Sequence, residues 1–269
     1  MTVVPTTTLR TGEQVPVLGL GTFGMGADPR RRKAEVEALR LGVDLGMTLI
    51  DTAEMYADGG AERIVAQAIK GVPRDSLFIV TKVLPSNASA SGTIKACEQS
   101  LKRLETDHLD VFLVHWWSSQ HPIADTMRAM QTLVTRGLTR FVGVSNFDVA
   151  QVKEAQAALG TTRLACNQVL YHLRDRAIEN EVLPYCGKER LAVVGYTPLN
   201  RGGFLRDAVA EIAKRHGRTT RQVTLNFLTR RAPLFSIPKA SQPDHVRENA
   251  AALDFKLTPD ELRAIDEAF

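Results

Sequence analysis

Gly19-Leu20-Gly21-Thr22-Phe23-Gly24, early in the chain, decides between two ways of winding alternating strands and helices. The six residues match Gly-x-Gly-x-x-Gly letter for letter. In a doubly wound (Rossmann) sheet a helix opens directly after that fingerprint, and its N-terminus receives a pyrophosphate. Here Met25 to Arg32 carries Gly26 and Pro29, and helical periodicity begins only at Ala34. The fingerprint reading fails, and the glycines read instead as a flexible first strand-to-helix loop.

Outward from that loop, short apolar runs alternate with amphipathic stretches. Strands are expected at Val17–Gly21, Thr48–Asp51, Leu77–Lys82, Leu109–His115, Thr139–Val144, Leu164–Gln168, Leu191–Tyr196 and Leu234–Ile237. Helices are expected at Ala34–Leu45, Ala61–Lys70, Thr93–Leu104, Ile123–Thr135, Val149–Leu159, Ile178–Gly187, Ala208–His216, Arg221–Arg230, Asp244–Ala252 and Pro259–Ala268. Thr219 with Gln222, and Thr258 with Glu261 behind Pro259, fit capping boxes. Eight runs too continuously apolar to face water imply a parallel sheet covered by helices. The expected fold is α/β, a (β/α)8 TIM barrel with a short N-terminal β-hairpin around Thr11-Gly12-Glu13 and extra C-terminal helices. No linker or break in composition divides the chain, so residues 1–269 are read as one domain.

Composition excludes several function classes. The chain has 269 residues, the usual size of such a barrel, and 44% are hydrophobic, enough for a large core without disulfides or metals. A net charge of +4 is spread along the chain. The run Arg30-Arg31-Arg32-Lys33 reads as a solvated helix start, and no basic stripe with interleaved aromatics marks a nucleic-acid partner. Cys97, Cys166 and Cys186 are odd in number and lack metal-ligand spacing, which fits reduced thiols in a cytoplasmic compartment. No signal peptide is read at the N-terminus, and the longest apolar run, near Val111 to Trp117, is too short for a membrane. A monomer with a small-molecule partner is expected. His108, His115 and His121 lack paired carboxylates, so no metal site is read.

In barrels of this kind the chemistry sits at the carboxyl ends of the strands. Asp51, Lys82, His115, Ser145-Asn146, Asn167-Gln168, Tyr196 and Lys239 end or follow the apolar runs in turn. Each alone is a turn cap or a solvated rim residue; in one ring they converge on one mouth. Tyr56, five residues past Asp51, could turn back over that mouth. A free phenol titrates near ~10, and a neighbouring ammonium lowers that value while a carboxylate holds the ammonium in place. Asp51, Lys82 and Tyr56 supply such a set, with His115 opposite as a hydrogen-bonding group. The set suits carbonyl reduction. Neither a Gly-x-Ser-x-Gly elbow nor a His-Glu-x-x-His site is present.

Gly19-Leu20-Gly21-Thr22-Phe23, Ile50-Asp51-Thr52-Ala53-Glu54-Met55-Tyr56, Thr81-Lys82-Val83 and Val114-His115-Trp116 follow one another in order. Gly143-Val144-Ser145-Asn146-Phe147, Asn167-Gln168, Tyr196-Thr197-Pro198-Leu199, Ile237-Pro238-Lys239 and Glu248-Asn249 complete the set. With these motifs the chain resembles the aldo-keto reductase superfamily over nearly its whole length. Gly46-Met47-Thr48-Leu49 through Gly59-Gly60-Ala61-Glu62, and Asn167 to Leu173, are most similar to bacterial members of the methylglyoxal and 2,5-diketo-gluconate reductase type. The resemblance implies a catalytic tetrad of Asp51, Tyr56, Lys82 and His115 and an extended NADPH, with NADH bound more weakly. Ser145, Asn146 and Gln168 would hold the nicotinamide carboxamide, Tyr196 would stack on its ring, and Gly21, Thr22 and Asp51 would border it. Thr197 and Leu199 would line the pyrophosphate. Lys239, Ala240, Ser241, Arg247 and Asn249 would meet the adenosine end. Phe23 and Trp116, with Tyr56 and His115, would wall the pocket for small aldehydes, ketones and keto sugars.

The chain departs from the family pattern in three places. Trp117 stands where many members have Pro, His245 occupies the usual Arg position beside the 2′-phosphate, with Ala240 following Lys239, and the sequence stops at Phe269 without a closing tail. Two alternatives remain at this stage. A same-fold isomerase with a phosphate site near strands seven and eight would explain Lys239 but not the tetrad. A cofactor-binding, non-catalytic regulatory subunit would be expected to have lost a tetrad member, and none is lost.

Overall fold

The computed structural model describes residues 4–200 and 207–269. A hairpin opens the chain, with β1 (Thr6–Thr8) antiparallel to β2 (Gln14–Pro16). Eight parallel strands follow: β3 (Leu20–Gly21), β4 (Leu49–Asp51), β5 (Phe78–Val83), β6 (Leu109–Val114), β7 (Thr139–Ser145), β8 (Leu164–Leu170), β9 (Ala192–Tyr196) and β10 (Leu234–Ser236). They neighbour one another in sequence order from β3 to β10. Leu18 bridges Ser236 and Gly21 bridges Lys239 in parallel, so the last strand returns to the first and the sheet closes. The ring carries the helices outside it: α1 (Arg32–Asp44), α2 (Gly60–Ala68), α3 (Ala90–Leu104), α4 (Ile123–Thr135), α5 (Val149–Ala158), α6 (Val182–Glu189), α7 (Asp207–His216) and α8 (Thr220–Leu228). The additional C-terminal helices are α9 (Pro243–Ala250) and α10 (Pro259–Ala268).

The period of two along each strand sorts side chains between lumen and helix layer. Leu49, Phe78, Val80, Val111, Leu113, Ala192 and Phe235 fill the lumen, while Ile50, Ile79, Phe112 and Val114 pack outward beneath the helices. Leu9 and Val15 of the hairpin join the lumen cluster and plug its lower end. Continued upward, the same inward register reaches Asp51 after Leu49, Lys82 after Val80, and His115 after Leu113. The fold thus aims three polar groups into one mouth.

Local signals explain the helix boundaries. Thr219–Gln222 and Thr258–Glu261 form capping boxes, as expected, and Asp148–Gln151 adds a third at the start of α5. The expected helix over 178–187 is instead a 3-10 turn, Ala177–Glu179, followed by α6. Pro184 accounts for the break: it lacks an N–H and fits only in a first turn, where the later start of α6 places it. Helix α9 likewise ends at Ala250 and gives way to a 3-10 turn, Ala251–Leu253.

Gly19 and Gly21 are not loop flexibility. A Cβ on Gly21 would lie 2.5 Å from the Ile237 carbonyl oxygen, and one on Gly19 would lie 2.6 Å from Leu49 Cγ. Both residues sit on the first barrel strand or its approach, Gly21 against the closing seam and Gly19 against β4, and neither neighbour leaves room for a side chain.

Candidate active site

The mouth of the barrel opens into a cleft of about 640 Å³. Asp51 at the end of β4 lies at its floor, and Lys82 on β5 is buried behind it, with Asp51 Oδ1 accepting from Lys82 Nζ at 2.7 Å. Lys82 also donates to the Thr52 carbonyl oxygen at 2.7 Å and has no exposure at all. The second carboxylate oxygen accepts from Gln168 Nε2 at 2.7 Å. Burial works to strip the proton from Lys82, yet Asp51 and Tyr56 outweigh it and raise the ammonium above its ordinary pKa.

Tyr56 returns over this pair because the backbone reverses directly after it. Ala57, Asp58 and Gly59 all take left-handed φ angles of 50°, 50° and 71°. The Tyr56 carbonyl then accepts from the Ala61 N–H, fastening the turn to α2. Lys82 Nζ lies 5.1 Å from the phenol ring centre, near enough for its charge to act on the phenol. Burial raises the phenol pKa and Lys82 pulls it down. Burial wins, so the net shift is upward, opposite to the lowering expected from sequence.

The His115 ring meets Tyr56 edge-on at 5.7 Å between centres, with Phe23 on the other side of Tyr56 at 5.2 Å and Trp116 beyond His115 at 4.9 Å. Desolvation, with Lys82 adding repulsion, pushes His115 down to about 3, and its Nδ1 is buried without a protein partner. The imidazole is therefore neutral. Thr22 fastens the first loop to this floor, donating through both N–H and hydroxyl to the Asp51 carbonyl.

Along one wall, Asn146 stitches three strand ends together. Its Nδ2 donates to the His115 carbonyl at 3.0 Å and to Ser145 Oγ at 3.1 Å, and its Oδ1 accepts from the Tyr196 hydroxyl at 2.9 Å. Asn146 and Thr197 hold φ near +59° and +54°. For β-branched Thr197 that is a strained conformation, of the kind kept where a backbone must meet a ligand.

At the far end the cleft is walled by Leu199, Lys239, Ala240, Ser241, Arg221 and His245. Gly21, Thr22, Phe23, Trp116, Ser145, Gln168, Tyr196 and Thr197 line the stretch between. Two of the anticipated cofactor residues do not line it. Arg247 is largely exposed and faces Asp244 at 3.8 Å, because one helical turn of α9 points it away. Asn249 is fully buried behind the wall, with both amide atoms unpartnered. Two residues that line or serve this end went unread in the sequence. Arg221 lines it while pairing with Glu248 at 3.0 Å, and Arg31 reaches Ser241 Oγ at 3.1 Å. Among the described residues no group of histidines, cysteines and carboxylates could hold a metal, and no helix is long and apolar enough to cross a membrane.

The arrangement offers an acid and a neutral hydrogen-bonding ring at one end, a polar strand-end wall in the middle and cations at the other. The donor set suits an elongated dianion-tailed dinucleotide whose reactive end lies at Tyr56. The chain is 45% identical to methylglyoxal reductase YeaE of Escherichia coli over 95% of its own length and 91% of the relative's. It superposes with a TM-score of 0.91 on an aldo/keto reductase of Klebsiella pneumoniae crystallised with NADP and acetate, at 44% identity, covering 98% of this chain and 95% of the other. A thermostable aldo-keto reductase crystallised with the inhibitor epalrestat gives a TM-score of 0.94 at 38% identity, covering 98% of this chain and 99% of that one. The model of the aldo/keto reductase family matches residues 17–269. The barrel is that of these reductases, and the chain belongs to the aldo/keto reductase family, a family of oxidoreductases.

Proposed function

We propose that the chain is a cytoplasmic, monomeric, single-domain reductase that uses NADPH to convert small aldehydes and ketones to alcohols. NADH serves it more weakly. Methylglyoxal, aromatic aldehydes and keto sugars are its substrate range, and Tyr56 is its proton donor. The observation that carries the reading is the buried Asp51–Lys82 pair, with Lys82 Nζ 5.1 Å from the Tyr56 ring centre, at one end of a cleft whose other end is cationic. The names of the relatives, a methylglyoxal reductase and an enzyme crystallised with NADP, support it.

The chemistry that a bound NADPH supplies is the hydride. The chain's own residues do the rest. Tyr56 and the His115 imidazole border one site, so a carbonyl oxygen placed there meets the phenol proton and a neutral ring N–H together. The raised phenol pKa keeps the proton on Tyr56 at neutral pH, ready for an oxygen that gains negative charge. Lys82 stabilises the phenolate left behind, and Asp51 holds Lys82 in place. Ser145, and the Gln168 carbonyl whose amide nitrogen is committed to Asp51, would hold a carboxamide against the wall, with the Tyr196 ring beside it. Asn146 spends its amide on the protein and acts by fixing Ser145 and Tyr196.

The test compares wild type with Tyr56→Phe, following NADPH consumption with methylglyoxal and benzaldehyde and NADPH binding separately by fluorescence. Loss of a positioned acid costs roughly 10²- to 10⁴-fold in turnover, with binding retained. Near-normal turnover in the variant would refute the assignment of Tyr56. A wild-type protein that binds NADPH and reduces nothing would favour a regulatory subunit.

A further inference from the structure

We propose that Arg31, on the loop between β3 and α1, reads the 2′-phosphate of NADPH together with Lys239 and Ser241. The inference rests on the NADPH reading above and assigns a residue from the opposite side of the barrel's closing seam.

Arg31 Nη2 donates to Ser241 Oγ at 3.1 Å, and Lys239 Nζ donates to the same oxygen at 3.2 Å. A serine hydroxyl has two acceptor sites and one proton. With both acceptor sites taken by cations, its O–H is left to donate outward. The result is a guanidinium, an ammonium and a hydroxyl proton converging on one point with no acceptor among them. Lys239 is half-buried, and burial and the nearby Arg31 push its pKa down against a weaker upward pull from Glu35. Two cations crowded in this way call for an anion with several acceptor oxygens. A phosphate monoester has that form.

The surrounding structure holds Arg31 in this place. Glu35 is buried, stands 3.9 Å from Arg31 Nε, and accepts from the Gly26 N–H at 2.8 Å, so it braces the guanidinium from behind. The parallel bridge of Gly21 to Lys239 sets the two loops side by side at the seam. Helix α9 starts two residues after Ser241 and its N-cap, Gln242, makes no side-chain cap. Its first N–H groups therefore add positive potential at the same corner.

The geometry also accounts for a phosphate site in a chain with His245 at the position where the family resemblance leads one to expect Arg. A planar fork holds a phosphate better than a point charge does. In this chain the fork comes from the first loop rather than from α9.

The test is a set of direct binding titrations with NADPH, NADH, 2′,5′-ADP and 5′-AMP on wild type, Arg31→Ala and Arg31→Lys, each checked for unchanged melting temperature. A lost hydrogen bond to a charged group corresponds to about 10- to 100-fold in affinity. Arg31→Ala is expected to weaken NADPH and 2′,5′-ADP by that factor while leaving NADH and 5′-AMP unchanged, with Arg31→Lys in between. A wild type that prefers NADPH and an Arg31→Ala variant that keeps the preference would overturn the role of Arg31 alone. Equal losses for phosphorylated and unphosphorylated ligands would overturn it as well, since that marks a merely structural residue. A wild type that binds both dinucleotides equally would bring down the NADPH reading itself, and this inference with it.

Discussion

Asp51 divides its carboxylate between two donors: Lys82 holds Oδ1 and Gln168 holds Oδ2, each at 2.7 Å. The three residues come from β4, β5 and β8, so the contact ties the ring together at its mouth as well as placing the ammonium under Tyr56. Removing one member of a buried ion pair strands the other and costs about 3–5 kcal/mol, whereas removing both avoids the stranded charge. Asp51→Asn and Lys82→Met are each expected to destabilise the fold and abolish most turnover. The double variant is expected to lose clearly less stability than the sum of the two. Urea unfolding of the four proteins measures the coupling, and strict additivity would show that the pair is not the unit described.

His115 predicts how stability depends on pH. Its pKa drops from the usual 6.5 to about 3 on folding, first through desolvation and then through Lys82. The unfolded chain therefore binds the proton better than the folded one. Its contribution to stability is complete above about pH 6.5 and is lost progressively as the pH falls toward 3. Between pH 7 and pH 5 this amounts to about 2 kcal/mol at most. Wild type should lose that increment and His115→Gln should not, in unfolding curves at the two pH values. A difference that is the same at both would contradict the depressed pKa.

The strand-end groups could be read from sequence because a strand's period of two fixes which residues face inward. Leu49 and Asp51, Val80 and Lys82, and Leu113 and His115 each follow that spacing, so the lumen core itself points to the mouth. Arg31 could not be read that way. It lies in a run of four basic residues that looks locally like a solvated helix start, and its partner is 210 residues away. Gly19 and Gly21 look locally like loop flexibility for a similar reason: their close neighbours, Leu49 and Ile237, come from distant parts of the chain. The sign of the Tyr56 shift also depended on burial, which local sequence does not display.

At the adenosine end, α9 offers a contrast between two neighbouring basic residues. His245 lines the cleft, while Arg247 turns outward to Asp244 at 3.8 Å. An exposed pair of this kind contributes about 0–1 kcal/mol to stability. Arg247→Ala is therefore expected to leave NADPH affinity unchanged. His245→Arg places a second fork against the 2′-phosphate and should widen the preference for NADPH over NADH. Binding titrations of both variants decide the matter; a loss of NADPH affinity in Arg247→Ala would mean that the side chain swings into the cleft when the dinucleotide binds.

Substrate breadth follows from the rim. Phe23, Met55, Trp116 and Trp117 are the exposed large apolar side chains among the described residues, and all stand on loops that follow β3, β4 and β6. Phe23, Met55 and Trp116 line the cleft directly, next to Tyr56 and His115. A flat aromatic aldehyde can stack on such rings, and an aromatic pair contributes about 0.5–1.5 kcal/mol beyond the area it buries. Methylglyoxal offers far less surface to these rings, so its binding is expected to lean mainly on Tyr56 and His115. Trp116→Ala and Phe23→Ala are expected to lower kcat/KM for benzaldehyde about 2- to 10-fold, mainly through KM, and to change methylglyoxal little. Wild type itself should accept many small activated carbonyls without strong selectivity, since few side chains surround the open mouth. Specificity constants measured across a panel check both statements. Equal losses for the two aldehydes would remove the rim from substrate binding, and a bulky substrate such as a steroid preferred by several orders of magnitude would contradict the open mouth.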